Sequence, residues 1–237
     1  KTIEHGADIV INSLTKWMGG HGTAIGGIVT DAGSFDWSDP KFTLFNQADK
    51  NYHGLRWAQD LPPELAKIAF ALRFRTVPLR NLGACLSPDN AWLFMQGLET
   101  LELRMQRHCE NALKVAEYLE KHPKCEWVRY PGLKSDPSFS TAQKYLHKGY
   151  GGMVVCGLKS GFKGAVRLIE GLKLFSHLAN VGDAKSLALH PGSTSHSQLS
   201  EEQQRAGGLK PELIRLSIGL ESIEDILGDL EQALDKL

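Results

Sequence analysis

Between Ser87 and Pro123 the apolar residues Ala91, Phe94, Met95, Leu98, Leu101, Met105, Ala112, Ala116 and Leu119 fall on three- and four-residue steps. A strand buries every second residue, so this spacing commits the stretch to one long amphipathic helix, or to two joined near Gly97. Ser87-Pro88-Asp89 opens it with a capping hydroxyl, a proline at the first helical position and an acid in the first turn. A helix of this length commonly bridges two domains. Short runs of the opposite character flank it. Asp8 to Asn12 reads as a buried strand, and the glycine-dense stretch from Gly19 to Gly27 leads into an apolar run, Ile25 to Val29, that can pair with it. Beyond Pro123 come strands at Glu126 to Tyr130, Met153 to Leu158 and Leu213 to Ile218, with a helix from Lys163 to Leu172. A capping box at Ser200-Glu201-Glu202-Gln203 and a terminal helix capped by Ser222 follow the same punctuation. Strand and helix signals alternate, which predicts an α/β fold whose second half is a small unit packed behind the long helix. From Asp31 to about Pro63 the sequence is polar, aromatic-rich and aperiodic, and is expected to be a functional loop or lid.

Composition narrows the function classes. Lys and Arg number 27 and Asp and Glu 27, so the zero net charge offers no general attraction to polyanions, and no basic patch is visible. Neither a nucleic-acid partner nor a membrane partner is expected. At 42% hydrophobic and 23% charged the chain can bury a large core, as one large domain or two smaller ones. Its longest apolar runs, such as Ile9-Val10-Ile11, are far shorter than the roughly 20 residues of a membrane helix, and no secretory leader pattern occupies the first 30 residues. A cytoplasmic location is the expectation. Cys85, Cys109, Cys125 and Cys156 form no CxxC pair and have no histidine ladder beside them, so no metal site and no disulfide scaffold is expected.

The densest chemistry is Ser13-x-Thr15-Lys16, two hydroxyls and an amine at a strand's exit before a run of glycines. The carboxyl ends of strands are where α/β sheets bind ligands, paired hydroxyls suit a phosphate, and a desolvated lysine can attack a carbonyl. Taken alone, the four residues more often make a solvated turn. They also spell S-x-x-K, the serine-nucleophile motif of penicillin-binding proteins. That reading fails because its S-D-N and K-T-G companions are missing; Lys1-Thr2-Ile3 has isoleucine where glycine is required.

The longer string Ser13-Leu14-Thr15-Lys16-Trp17-Met18-Gly19-Gly20-His21-Gly22 resembles the pyridoxal-phosphate lysine signature of the Cys/Met-metabolism enzymes. Gln96 to Leu101, Leu103-Arg104-Met105, Leu174 to Ala184, His190-Pro191, Thr194 to Ser197 and Leu213 to Gly219 follow in that family's order. Within it, Tyr52-His53-Gly54 and Ala179 to Asp183 look most like the O-acetylhomoserine sulfhydrylase branch. The resemblance implies the C-terminal portion of an aspartate-aminotransferase-like, fold type I enzyme: residues 1–102 would be the remainder of the large cofactor-binding domain and 103–237 the C-terminal domain. It implies pyridoxal 5′-phosphate carried on Lys16, with the Ser13 and Thr15 hydroxyls on its phosphate and Lys16 as the catalytic base. Arg215 and Asn180 would hold the substrate's α-carboxylate. Without the resemblance, Arg215 reads as a strand-face arginine and Asn180 as a turn residue. His196 and Tyr52 could face the substrate entrance and are given no role.

The implied reaction is a γ-replacement turning O-acetyl-L-homoserine and sulfide into L-homocysteine and acetate. A cystathionine γ-synthase or γ-lyase is the alternative on the same machinery, and an inactive truncated subunit that only assembles with intact partners is another. Family members are homo-oligomers, tetramers of the dimer-of-dimers kind, and usually exceed 400 residues. This chain starts 15 residues before its lysine, so the acid that pairs with the pyridine nitrogen and the aromatic that stacks on the ring are expected in a missing N-terminal half, on another chain or removed. Residues 1–237 by themselves are expected to be an incomplete catalyst. Leu14 stands where the family usually has a small residue.

Overall fold

A computed structural model describes residues 1–237. The chain folds into two compact units, residues 1–14 with 25–92, and residues 15–24 with 93–237. No helix is long and apolar enough to cross a membrane.

In the first unit the two predicted apolar runs form an antiparallel hairpin, β1 (Ile9–Ser13) and β2 (Gly27–Asp31), registered from Ile9 opposite Asp31 to Ser13 opposite Gly27. The strands are less buried than their sequence suggests: Ile11 is 74% exposed, and Ile28 and Val29 are exposed as well. The reason is geometric, since strand pairing satisfies edges and not faces, and no layer covers these side chains on the two-stranded ribbon.

The expected lid between Asp31 and Pro63 is instead part of a small aromatic core. Trp57, Phe45, Ala69 and Val77 are buried, with Trp37, Phe42 and Tyr52 packed on them. Trp37 stacks on Phe45 at 4.3 Å between centroids. Asp49 is buried at its centre, accepting from Trp57 Nε1 at 3.0 Å and from Arg73 Nε at 3.1 Å. Turns and the short helix Thr43–Asn46 carry the aromatic rings from Trp37 to Trp57, so their convergence leaves no period in the sequence, and the helical stretches Ala69–Phe74 and Arg75–Leu79 add Ala69 and Val77.

The long helical signal is realised as two helices, α1 (Pro88–Glu99) and α2 (Leu101–Lys121), broken at Thr100, where the backbone leaves helical values (φ −107°, ψ 9°). Ser87 Oγ accepts from Asn90 N at 3.2 Å, the predicted cap. Met95 and Leu98 were expected in the core and are exposed, because the inward face of α1 is set by Phe94 and Gly97. In α2 the buried stripe starts polar, with Arg104, His108 and Asn111, and ends apolar, with Ala112, Val115, Ala116 and Leu119.

The rest of the second unit is β3 (Cys125–Arg129), α3 (Phe139–Tyr145), β4 (Met153–Leu158), α4 (Gly161–Gly171), β5 (Ser176–His177), β6 (Leu187–Leu189), α5 (Glu201–Ala206), β7 (Leu213–Ser217) and α6 (Ile223–Leu234). The strands form one mixed sheet in the order β3-β4-β7-β6-β5, with β5 and β6 parallel and the other pairs antiparallel. Alternation along β4 and β7 turns Val154, Cys156, Leu158, Ile214 and Leu216 to one face, where they join buried residues of α2, α4 and α6 in a single core. Each fully buried leucine or isoleucine there contributes roughly 1.5–3 kcal/mol. Arg215, between Ile214 and Leu216, therefore turns to the opposite face. The Ser200 capping box forms as predicted.

Candidate active site

β1 ends at Ser13, and the chain then makes one wide turn, Leu14–Met18, that is broken at Lys16 (φ −92°, ψ −129°). Leu14 is buried in the first unit and its N–H donates to Gly26 O at 2.9 Å, so the bulky residue at this position packs inward. Lys16 belongs to the second unit. Gly20 N donates to Lys16 O at 2.8 Å, closing the turn behind the lysine.

A second segment docks on this turn. Ala184 N donates to Gly20 O at 2.8 Å, and Gly182 N donates to Ser217 Oγ at 3.2 Å at the end of β7. Gly182 has φ +76°, and a side chain there would also collide with the Trp17 indole and backbone, so both conformation and close approach demand glycine. Trp17 in turn meets His108 edge to face at 4.9 Å. His108 is fully buried, with Nδ1 2.6 Å from Ile218 O. Burial lowers its pKa below the usual 6.5, the Ile218 bond opposing only part of the shift.

This docking sets three predicted residues side by side. Lys16 Nζ donates to Asn180 Oδ1 at 2.6 Å, and Arg215 Nη2 donates to Asn180 O at 2.9 Å. One asparagine thus spans the amine and the guanidinium. Arg215 is half-buried, none of the chain's ion pairs includes it, and burial pushes its pKa down. Thr15 is half-buried immediately before the lysine, and Ser13 is exposed at the last position of β1. Tyr52 stacks near Trp57 in the first unit, and His196 is exposed beside Ser195.

Arg104 stands in the family-like string Leu103-Arg104-Met105, but sequence reasoning gave it no role. This buried side chain donates from Nη1 to Trp17 O at 2.8 Å and from Nη2 to Met18 O at 3.2 Å and Gly97 O at 2.5 Å, while its Nε donates to Thr100 Oγ1 at 3.2 Å. The available signal was its position on the buried stripe of α2, one turn before His108.

The donor set suits a phosphorylated aldehyde. The amine is half-buried and its side-chain partner is a neutral amide oxygen, leaving it outside any ion pair, and hydroxyls precede it by one and three positions. A lysine so placed, at the exit of a strand in an α/β chain, is suited to hold pyridoxal phosphate. The sequence model of the Cys/Met metabolism PLP-dependent enzymes matches residues 1–235, and the chain belongs to that family. Its cofactor is accordingly pyridoxal 5′-phosphate, and its architecture is part of fold type I.

The relatives are specific. The chain is 53% identical to the O-acetyl-L-homoserine sulfhydrylase of Leptospira meyeri, over 99% of this chain and 54% of that protein. It is 47% identical to the homocysteine synthase of Schizosaccharomyces pombe, again over 99% of this chain and 54% of that protein. A crystal structure from Campylobacter jejuni, described as an O-acetylhomoserine (thiol)-lyase and carrying N′-pyridoxyl-lysine-5′-monophosphate, superposes with a TM-score of 0.90 at 41% identity, covering 98% of this chain and 55% of that one. The chain spans about half the length of the curated relatives it matches.

Proposed function

We propose that the protein containing this chain carries out γ-replacement on O-acetyl-L-homoserine, with sulfide as nucleophile and L-homocysteine and acetate as products. The observation that carries this reading is the bridge from Lys16 Nζ through Asn180 to Arg215 Nη2, because an α-amino acid needs an amine at its Cα–H and a guanidinium at its carboxylate, a few ångströms apart. The names of the relatives support the choice of substrate pair.

In this reading pyridoxal phosphate held on Lys16 supplies an electron sink for the charge left when a substrate proton is removed. The Ser13 and Thr15 hydroxyls hold its phosphate. Arg215 uses one edge of its fork on Asn180 O, and its other N–H groups receive the substrate α-carboxylate, which fixes the direction of the Cα–H bond. Asn180 keeps that fork aimed and assists with the same carboxylate once its side chain is released by Lys16. The Lys16 amine then takes the proton from Cα and moves the proton at Cβ, over the step in which the Cγ–O bond to acetate breaks and the bond from sulfide to Cγ forms. One acetate leaves for each sulfide incorporated.

The reading extends to organisation. Residues 1–102 are the remainder of the large domain and 103–237 the C-terminal domain, with the helix break at Thr100 close to that boundary. The assembly is a homotetramer, in keeping with the exposed Ile11 and Ile25, which a partner surface would cover. Four unpaired cysteines suit a cytoplasmic setting.

The test is product analysis of the holoenzyme with O-acetyl-L-homoserine and either sulfide or cysteine. Homocysteine formed from sulfide, with equimolar acetate, is expected. Cystathionine formed from cysteine in preference would assign the cystathionine-forming reaction instead, and 2-oxobutyrate released without a nucleophile would assign a lyase.

A further inference from the structure

We infer that Arg104 is a positioning residue for Lys16, fastening the lysine's turn to the rigid core of the second unit. The inference rests on the reading of Lys16 as the cofactor lysine. Breaking a helical turn at Lys16 leaves the carbonyls just after it without the amides that a continuing helix would offer, and unpaired buried carbonyls are costly. Arg104 collects two of them, Trp17 O at 2.8 Å and Met18 O at 3.2 Å. The same fork takes Gly97 O from the last turn of α1, at 2.5 Å, and Thr100 Oγ1 at the joint between the helices, at 3.2 Å.

The side chain is 6% exposed, and none of the chain's ion pairs includes it. A guanidinium buried for an ion pair would sit against a carboxylate; this one is spent on four neutral oxygens, which describes a clamp on backbone. Its planar fork can reach the three carbonyls together, whereas a lysine ammonium offers a point charge on a flexible stem.

The clamp has a firm base. Arg104 stands on the stripe of α2 that continues through His108 to Ala112, Val115, Ala116 and Leu119 inside the core. Core packing therefore extends through one helix to the two residues that follow the cofactor lysine. Trp17, whose carbonyl Arg104 holds, is fixed on its other side by the edge of His108. With both contacts in place, the amine is directed at Asn180.

The test compares the full chain with Arg104→Lys and Arg104→Met. In cofactor-free protein, trypsin cleavage after Lys16 is expected to be about tenfold faster in both variants, the loss of roughly one charge-assisted hydrogen bond, with cleavage after Lys124 unchanged. With pyridoxal phosphate bound, the induced circular dichroism of the cofactor band, per pyridoxyl group trapped on Lys16 by borohydride, is expected to fall in both. Should the methionine variant fail to fold, the lysine variant decides. Unchanged cleavage and unchanged dichroism in Arg104→Lys would overturn the inference and leave the reading of Lys16 intact. A pyridoxyl group found away from Lys16 in the unaltered chain would overturn that reading, while the cleavage comparison still judges the clamp.

Discussion

An amine that must form a covalent bond and later release it is poorly served by a tight ion pair, which would hold it protonated and fixed. Lys16 meets a neutral amide oxygen at Asn180 instead, and the nearby guanidinium of Arg215, which donates to Asn180 O, is the anion site we propose. If Arg215 supplies a charge-assisted bond of about 1.5–3 kcal/mol, Arg215→Ala raises KM for O-acetylhomoserine by about tenfold or more, measured by steady-state kinetics at saturating sulfide. An unchanged KM would remove it from the site. His108 makes a prediction in pH. Burial lowers its folded pKa below 6.5, so the neutral ring's contribution to stability is complete above that value and is lost as pH falls through the lowered folded value. Urea midpoints followed downward from neutral pH are expected to drop less in His108→Gln than in the unaltered chain. An equal drop would show that this ring does not govern the acid limb. Lys16 was legible in the sequence as a chemical cluster, and its neighbours Asn180 and Arg215 only through resemblance, since a lone asparagine or arginine carries no signature. The role of Arg104 was hidden because a buried arginine contradicts the hydropathy rule by which core positions are read.

At the scale of elements, the close approach of α1 to the lysine turn is set by Gly97. A Cβ there would strike the carbonyl oxygens of Met18 and Gly19. Gly97→Ala gains about 1 kcal/mol of helix propensity yet is expected to destabilise the chain by about 1–3 kcal/mol net, because the collision is with backbone. Urea unfolding measures the sign, and a more stable alanine variant would show that the contact is loose. Periodicity located α1, α2, β4, β7 and the capping box at Ser200 well, since each is long or carries a local cap. It missed β5 and β6, two and three residues long, whose pairing is decided by strands far away in sequence. It also misread the Asp31 to Pro63 stretch, where turns bring aromatic rings together with no repeating interval.

At the scale of the molecule, the second unit by itself holds the lysine turn, the Asn180 segment and the Arg215 strand. The alternation of strand and helix signals made the α/β class readable. The exposure of Ile11 was not, because burial of a strand's face depends on what packs over its sheet. The central claim is that Lys16, and no other of the chain's lysines, carries the cofactor beside Asn180 and Arg215. Borohydride reduction of the pyridoxal-phosphate-loaded protein, followed by peptide mass spectrometry, tests it directly. The account predicts one pyridoxyl group on the peptide containing Lys16, absent from Lys16→Ala together with the visible absorption of the bound cofactor. A pyridoxyl group on another lysine, or an undiminished cofactor band in Lys16→Ala, would contradict it.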